Sequence, residues 1–338
     1  MSVHFGLRLT SIKYMLKNLP QVSKQIHSKE IFSILEKNYS EIAPVWIPMQ
    51  TQWFNTLYRT FYDYEKFMII IHLLLKTFNF YSKNFVKLNY DEYFDQKQVE
   101  IEAINVSEIS VSLNMPKETT RRKIIELEES GSIKRLKKKI IIDRETWPSI
   151  KPEETLKRMS HFLSILSKML FQEKLISKTL TAKQIIKISK ENFSFIWKLY
   201  FEMQMPMLLA YKKIYGDLET LHVHGVCLSN HALNSKKIDN SKMSREFYLQ
   251  EYFINDKKNF SGINAMSISD ITGIPRATVI RKLNKLIKEE FLSKDNKKHY
   301  SVAGVHINEL AEVQKNTFMN LSHFAERIYN FCMMEKNT

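Results

Sequence analysis

The apolar and polar positions of this chain mostly follow the pattern of amphipathic helices. In residues 152–172, Leu156, Met159 and Leu163 recur at three- and four-residue steps, which places them on one face of a helix. Further helices are predicted at about 28–39, 51–83, 197–235 and 306–335. Only seven glycines and eight prolines occur in 338 residues, so strand and turn signals are few. The pattern therefore predicts a mainly α fold.

The chain also contains an internal repeat. Residues 104–133 align without a gap on residues 263–292 at an offset of 159, with nine identical positions. Upstream the match continues at an offset of 154, where residues 30–42 correspond to 184–196, and downstream it continues at an offset of 162. Short insertions in surface loops account for the change of offset. The predicted organisation is a basic N-terminal arm at 1–27 and two domains of one fold at 28–174 and 175–338.

The aligned window predicts a helix-turn-helix followed by a short β-hairpin. In the second copy, Gly273 suits the turn because glycine accepts a positive φ, and Pro275 suits the start of the second helix, where its missing N–H is not needed. Basic and β-branched runs after each helix pair favour a hairpin. The expected bounds are 104–131 and 263–290 for the helix-turn-helix, and 133–143 and 291–302 for the hairpin.

The second helix of each motif is predicted to turn an apolar face inward and a basic face outward. Val279, Leu283 and Leu286 fall at i, i+4 and i+7 and should face the core. The opposite face suits a DNA major groove, because Arg and Lys contact guanine or phosphate and Thr contacts base edges. The predicted DNA-binding residues are Lys117, Thr119, Arg121, Arg122, Lys123, Arg135, Lys137 and Lys138 in the first copy, and Arg276, Thr278, Arg281, Lys282, Lys285, Lys297 and Lys298 in the second. Lys134, Lys139, Lys294 and His299 lie beside them on the predicted hairpins.

Charge supports a nucleic-acid partner. The chain has 51 Lys and Arg against 36 Asp and Glu, a net charge of +15 and a pI near 9.5. Residues 117–139 hold nine basic residues and residues 276–298 hold eight, so the charge peaks fall on the repeated motif. The positive charge could also belong to a basic soluble protein that does not bind DNA, and the charged helix side could simply be a solvated face. The presence of the same basic pattern in both copies favours DNA binding.

Residues 267–302 resemble the winged helix-turn-helix of bacterial transcription regulators. The resemblance covers about 40 residues in each copy; in the first, Asn114 stands in place of the turn glycine and Thr120 in place of Val279. It implies that the second helix enters the major groove and that the hairpin, or wing, contacts the DNA backbone or minor groove. No family covering the whole duplicated chain is indicated.

The predicted function is a sequence-specific DNA-binding transcription regulator that acts as an intramolecular pseudo-dimer. Glu118 and Glu126 stand where the second copy has Ala277 and Lys285, so the two modules should read different adjacent half-sites. Two alternatives stay open: a plasmid-type replication initiator, and a tandem winged-helix structural subunit that binds protein in a chromosome-maintenance complex. The sequence shows no nucleophile–base pairing, glycine-rich phosphate loop or metalloprotease signature, and no enzyme is expected.

One cluster suggests a metal. In a helix, His224, Cys227 and His231 would lie at i, i+3 and i+7, on one face, where they could hold Zn²⁺. The corresponding residues of the first copy are Ile70, Leu73 and Thr77. A core helix that has become more polar in the second copy is therefore favoured over a metal or thiol sensor, and no cofactor is expected.

The remaining expectations concern compartment and partners. Two cysteines without partner spacing suggest a reducing cytoplasm, with the protein on the nucleoid. The longest apolar run, residues 67–75, is too short to cross a bilayer, and the basic residues 1–29 favour an arm over a transit peptide. Double-stranded DNA is the expected partner and no membrane is expected. The transcription machinery, further self-association, and a small-molecule effector among Trp46, Trp53 and Trp197 are additional candidates, with core packing as the alternative use of these aromatics.

Overall fold

A computed structural model describes residues 25–102, 104–137, 139–146, 151–238, 241–254 and 261–334. Nearly all of the predicted N-terminal arm, and Lys138 of the first hairpin, lie outside these residues. The described chain is mainly helical with two small antiparallel sheets. No helix in these ranges is long and apolar enough to cross a membrane.

The first half contains seven helices and three strands. In chain order they are α1 (Ser28–Lys37), α2 (Tyr39–Phe61), α3 (Tyr64–Lys83), α4 (Tyr90–Asp95), β1 (Gln98–Glu102), α5 (Val106–Ser112), α6 (Lys117–Glu129), β2 (Ile133–Leu136), β3 (Lys139–Asp143) and α7 (Glu153–Gln172). A single 3-10 turn, Arg144–Thr146, follows β3.

The second half repeats this order of elements. They are α8 (Ala182–Glu191), α9 (Phe193–Tyr215), α10 (Leu218–Ile238), α11 (Arg245–Leu249), β4 (Ile263–Asn264), α12 (Ala265–Thr272), α13 (Arg276–Lys288), β5 (Leu292–Lys294), β6 (His299–Val302) and α14 (Ile307–Met334). A π-helical turn, Gln250–Ile254, extends α11.

The stretches predicted to be helical at 51–83 and 197–235 are helical, and each is divided between two helices. In the first half the break is at Tyr62, which takes a left-handed φ of 52°, and Asp63 then caps α3 by accepting hydrogen bonds from two backbone N–H groups. In the second half Gly216, with a φ of 76°, makes the break. A left-handed residue cannot continue a right-handed helix.

Each sheet has three strands rather than the predicted two. The hairpin strands β2 and β3 are joined by β1, and β5 and β6 by β4, so that β3 and β6 are central. In the first sheet Ile101 pairs with Ile140, and both side chains are buried. In the second sheet Ile263 pairs with Tyr300. The added strand ties each hairpin to the chain segment that precedes its helix pair.

The two halves pack through a reciprocal set of helices. Helix α2 packs on α10 and α9 on α3, while α1 packs on α14 and α8 on α7. At the centre, the side-chain amide of Gln204 donates to Gln50 over 3.2 Å, and these two glutamines occupy the same place in their halves. The final helices α7 and α14 each pack against a helix of the other half.

Candidate nucleic-acid interface

Two strand–helix modules carry most of the predicted DNA-binding residues. The first module comprises residues 98–143 and the second comprises residues 263–302. The first helix of each pair begins at an asparagine N-cap: the side chain of Asn105 accepts from the backbone N–H of Glu108 over 2.7 Å, and that of Asn264 accepts from Ser267 over 2.9 Å. Side-chain caps satisfy N–H groups that a helix start leaves without partners.

The turn between the two helices is built in the same way in both modules. Asn114 takes a φ of 47° and Gly273 one of 74°. Asparagine is among the few residues that tolerate this conformation, which explains how the first module turns without glycine. The hydroxyl of Ser110 donates to the carbonyl of Met115 over 2.6 Å, and the matching bond of Ser269 measures 2.7 Å.

The inward face of the second helix is as predicted. Val279, Leu283 and Leu286 on α13 are fully buried, and Ile124 and Leu127 on α6 are buried at the matching places. This apolar stripe packs α6 onto α3 and α13 onto α10. The opposite side of each helix therefore faces away from the core.

Two predicted DNA contacts are not on that outer side. Lys123 and Lys282 are only 12% and 11% exposed, and each is held by a carboxylate at the start of the long helix below. Lys123 Nζ lies 2.5 Å from Asp63, and Lys282 Nζ lies 2.7 Å from Asp217. The expectation that these lysines reach DNA is therefore corrected: each anchors its helix to the core.

Protonation at these two buried ion pairs follows from the contacts. Burial alone would lower the pKa of Lys123, but its hydrogen bonds to Asp63 and Glu126 raise it. Burial alone would raise the pKa of Asp217, yet Lys282 holds it below its usual range. The pKa shifts of Lys123 and of Asp217 both favour the charged form of the side chain.

Lys285 is also engaged within the protein. Its Nζ donates to the backbone carbonyl of Tyr215 over 2.6 Å and lies 3.7 Å from Asp217. Its side chain is 34% exposed, so it supports the end of α9 more than it extends the outer basic face.

The outer face of the second module is strongly basic. Helix α13 contains five basic residues and no acidic one. Its exposed cations, and those of the following hairpin, form no ion pair with any described carboxylate. They are Arg276, Arg281, Lys288, Lys294, Lys297 and Lys298. We call these six residues the second basic face.

Lys288 was missed in the sequence analysis. It lies seven residues after Arg281 and therefore two turns further along the same side of α13. That spacing was the signal that could have found it. Thr278, which was predicted, is half-buried at the edge of this face.

The hairpin of the second module ends in a tight loop that presents its lysines. Asp295 accepts backbone N–H bonds from Lys297 and His299, each within 2.9 Å, and Lys298 takes a left-handed φ of 61°. Lys294 lies with its Nζ 5.8 Å from the centre of the Tyr300 ring. Asp295 thus fixes the loop backbone at Lys297, and strand β5 packs on α13.

Most of the exposed cations of the first module, unlike those of the second basic face, lie beside carboxylates of the same module. Helix α6 has four basic and four acidic residues. Arg121 lies 2.8 Å from Glu118, and Arg122 lies 3.7 Å from Glu126. On the hairpin, Arg135 forms two hydrogen bonds with one carboxylate, that of Glu128, at 2.6 and 2.5 Å. Lys134 and Lys139 pair with Asp143 and Glu100, whereas Lys117 and Lys137 are exposed and Thr119 is half-buried.

The histidine and cysteine residues of α10 are core residues. His222 bonds to Tyr64 and Asn55, and His224 bonds to Tyr215, all over 2.6 Å. Burial lowers the pKa of His222 and of His224 to about 3 and raises that of Cys227 to about 12. Within the described ranges, no group of three His, Cys, Asp or Glu side chains is placed to hold a metal ion.

No protein-family model, curated protein or solved structure matches this chain. The chemistry of its surface and interior is therefore the basis for the function proposed below.

Proposed function

We propose that this protein is a double-stranded-DNA-binding transcription regulator built from two winged helix-turn-helix modules, acting on the nucleoid and without enzymatic activity. The observation that carries the proposal is the second basic face. Six exposed cations lie along one helix and its hairpin, and none of them pairs with a described carboxylate. Unpaired surface cations in this arrangement suit a polyanion, because binding releases the counterions of several phosphates.

The geometry of the second module supports binding in a major groove. Helix α13 is held by a buried stripe and by the Lys282–Asp217 pair, so its outer side is rigidly presented. Arg276 and Arg281 are exposed near its N-terminal end, the part of a recognition helix that reaches base edges in this class of motif. The hairpin lysines beside it are available for the DNA backbone.

Several matched details support an origin by duplication and a pseudo-dimeric arrangement. Equivalent asparagine caps, serine–carbonyl bonds and buried Lys–Asp pairs occur in both modules. The Gln50–Gln204 bond joins equivalent positions, as at the axis of a twofold dimer, where a residue meets its own copy.

The direct test is selection of binding sites from random duplex DNA, followed by fluorescence anisotropy at several salt concentrations. We expect one enriched asymmetric site, with affinity falling by a log–log slope of about −0.9 per phosphate neutralised. Arg276→Glu with Arg281→Glu should abolish enrichment. Failure to enrich any sequence with the unaltered protein, or affinity that does not respond to salt, would refute the proposal.

One observation favours a second candidate for the first module alone. Its outer face is self-neutralised by ion pairs, and a module that binds protein needs no unpaired basic face. A replication initiator or chromosome-maintenance subunit with one DNA-binding module and one protein-binding module fits this asymmetry. Loss of DNA binding on altering the first module would exclude that assignment.

A further inference from the structure

An arginine is buried without a carboxylate partner beside a cavity in the first half. Arg144, on the turn after β3, is only 2% exposed. Its Nη2 donates to the backbone carbonyl of Tyr93 over 2.6 Å, while Nε and Nη1 have no hydrogen-bond partner among the described residues. Burying a charge with unsatisfied donors is costly unless acceptors are supplied.

The Arg144 guanidinium packs against two aromatic rings, which hold it in place but carry no negative charge. Its central carbon lies 4.4 Å from the centre of the Tyr93 ring and 5.1 Å from that of Phe94. Burial lowers the pKa of Arg144, and Tyr93 and Tyr81 partly oppose this. Arginine stays protonated in proteins even so. The charge is therefore present, and the described residues around it supply ring faces and one carbonyl but no carboxylate.

The cavity that Arg144 lines has a volume of about 120 Å³. It lies between α2, α3, α4, the start of α7 and, from the other half, α9. Its walls are mainly aromatic and aliphatic, including Trp53, Ile70, Trp197 and Phe201, and the described residues that line it include no aspartate or glutamate. Since an apolar cavity of about 150 Å³ binds benzene, this cavity limits a bound molecule to at most one small ring or a short branched chain.

We propose that this cavity binds a small organic monocarboxylate, with the carboxylate on Arg144 and an aromatic or branched aliphatic body against Trp53 and Trp197. A carboxylate supplies acceptors for the unpartnered guanidinium N–H groups. The apolar walls favour an organic body over inorganic phosphate, which would need several polar partners. Lys151, exposed beside the cavity, adds positive charge near its mouth.

The second half provides an internal control. Ile142 and Val302 are equivalent hairpin residues, each paired with the first residue of the preceding strand. Two residues further on, the first half has Arg144 and the second has Gly304. The related cavity of the second half, about 110 Å³, has no charged residue among the described residues that line it. The proposal therefore specifies one carboxylate per chain, not two.

Binding can be measured through the two tryptophans that line the cavity. The full chain is titrated with benzoate, with benzamide as the neutral analogue and with inorganic phosphate, while tryptophan fluorescence and titration calorimetry are recorded. We expect saturable benzoate binding with a stoichiometry near one, and at least tenfold weaker binding of benzamide and phosphate. Equal affinity for benzoate and benzamide, tight binding of phosphate alone, or no binding of any probe at millimolar concentration would overturn the proposal.

Variants separate binding by Arg144 from a purely structural role. Arg144→Lys should weaken benzoate binding at least tenfold, and Arg144→Met should abolish it. Arg135→Lys, an exposed residue paired with Glu128, is the matched control and should leave benzoate affinity unchanged. If Arg144→Met does not fold, Arg144→Lys and the benzoate–benzamide ratio of the unaltered protein decide the question. Undiminished benzoate affinity in folded Arg144→Lys would also overturn the proposal.

Discussion

The two modules share an interior and differ on the outside. Both use an asparagine cap, a serine-to-carbonyl bond across the turn and a buried lysine held by an aspartate. On the outer side, α13 has five basic residues and no acidic one, whereas α6 has four of each. The residues that cap and anchor the helices are thus alike in the two modules while the charge on the outer side differs, so we expect the second module to carry most of the affinity for DNA.

The largest expected effect is the loss of DNA affinity after charge reversal, which should differ between the two modules. Arg276→Glu with Arg281→Glu should reduce DNA affinity about a thousandfold, since each lost Arg contact costs roughly 1–3 kcal/mol and the new charges repel phosphate. The equivalent changes in the first module, Lys117→Glu with Arg122→Glu, should cost about tenfold or less. Fluorescence anisotropy measures both, and equal losses would contradict the difference between the modules.

The next largest effect is a loss of stability when the Lys–Asp ion pair of either module is removed. Lys123→Met and Lys282→Met should each lower the free energy of unfolding by about 1–3 kcal/mol, because a partly buried carboxylate loses its partner. Urea denaturation gives this value. DNA affinity of folded Lys282→Met should stay within a few-fold of the unaltered protein, whereas Lys288→Met, an exposed control on the same helix, should weaken DNA binding without changing stability. The reverse result would restore Lys282 as a DNA contact.

A third prediction contrasts α10 with α3. Burial lowers the pKa of His224 to about 3, against 6.5 for the unperturbed side chain, while its counterpart in α3 is the apolar Ile70. The unfolded chain therefore takes up a proton below about pH 6.5 that the folded protein does not, so stability is full above that pH and falls as the pH drops towards 3. At pH 5 the loss should be about 2 kcal/mol for this histidine.

His224→Ile tests whether His224 causes this pH dependence, because isoleucine is the residue at the corresponding position of the first half, Ile70. The variant should lose less stability than the unaltered protein between pH 7 and pH 5, whatever its stability at pH 7. Denaturation curves at the two pH values give the difference. An unchanged pH dependence would mean that His224 does not contribute to it; His222, with a pKa lowered to about 3 by burial, would be the next candidate.

The smallest expected effect is a change in the salt dependence of DNA binding when a hairpin lysine is replaced. Lys297→Ala should reduce the salt slope of DNA binding by about one phosphate contact and weaken binding of all sequences alike. The matched change in the first hairpin, Lys137→Ala, should alter the slope by less. Fluorescence anisotropy at four salt concentrations gives the slope. Equal changes of slope in the two variants would mean that both hairpins contact DNA.

The helices and their inward faces could be predicted from the sequence because their signals are local. Val279, Leu283 and Leu286 show helical spacing in the sequence and are buried in the structure. The break between α2 and α3 was missed although Asp63, a good N-cap residue, marks it. The strand β4 was missed because its two residues are too few to show an alternating pattern.

The corrected part of the candidate interface depends on distant residues. Lys282 looks like its exposed neighbours in the sequence, but its partner Asp217 lies 65 residues earlier and is brought below it only by the packing of α13 on α10. Arg144 follows a basic hairpin, and the sequence alone would place it in solvent. In the structure it packs against α4, where it bonds to Tyr93, and it is buried. Helical spacing places Lys282 beside the apolar stripe, three residues after Val279 and four before Leu286, but it does not identify Asp217 as its partner.

The reciprocal packing of the halves has a consequence for how the chain is made. Helix α1 packs chiefly on α14, and the side-chain amide of Asn330 bonds to the backbone of Ile26 across 304 residues. At 5–20 residues per second, a nascent chain would wait roughly 15–60 s on the ribosome for that partner. Its first half, with an apolar surface meant for the second, should therefore depend on chaperones until synthesis is nearly finished.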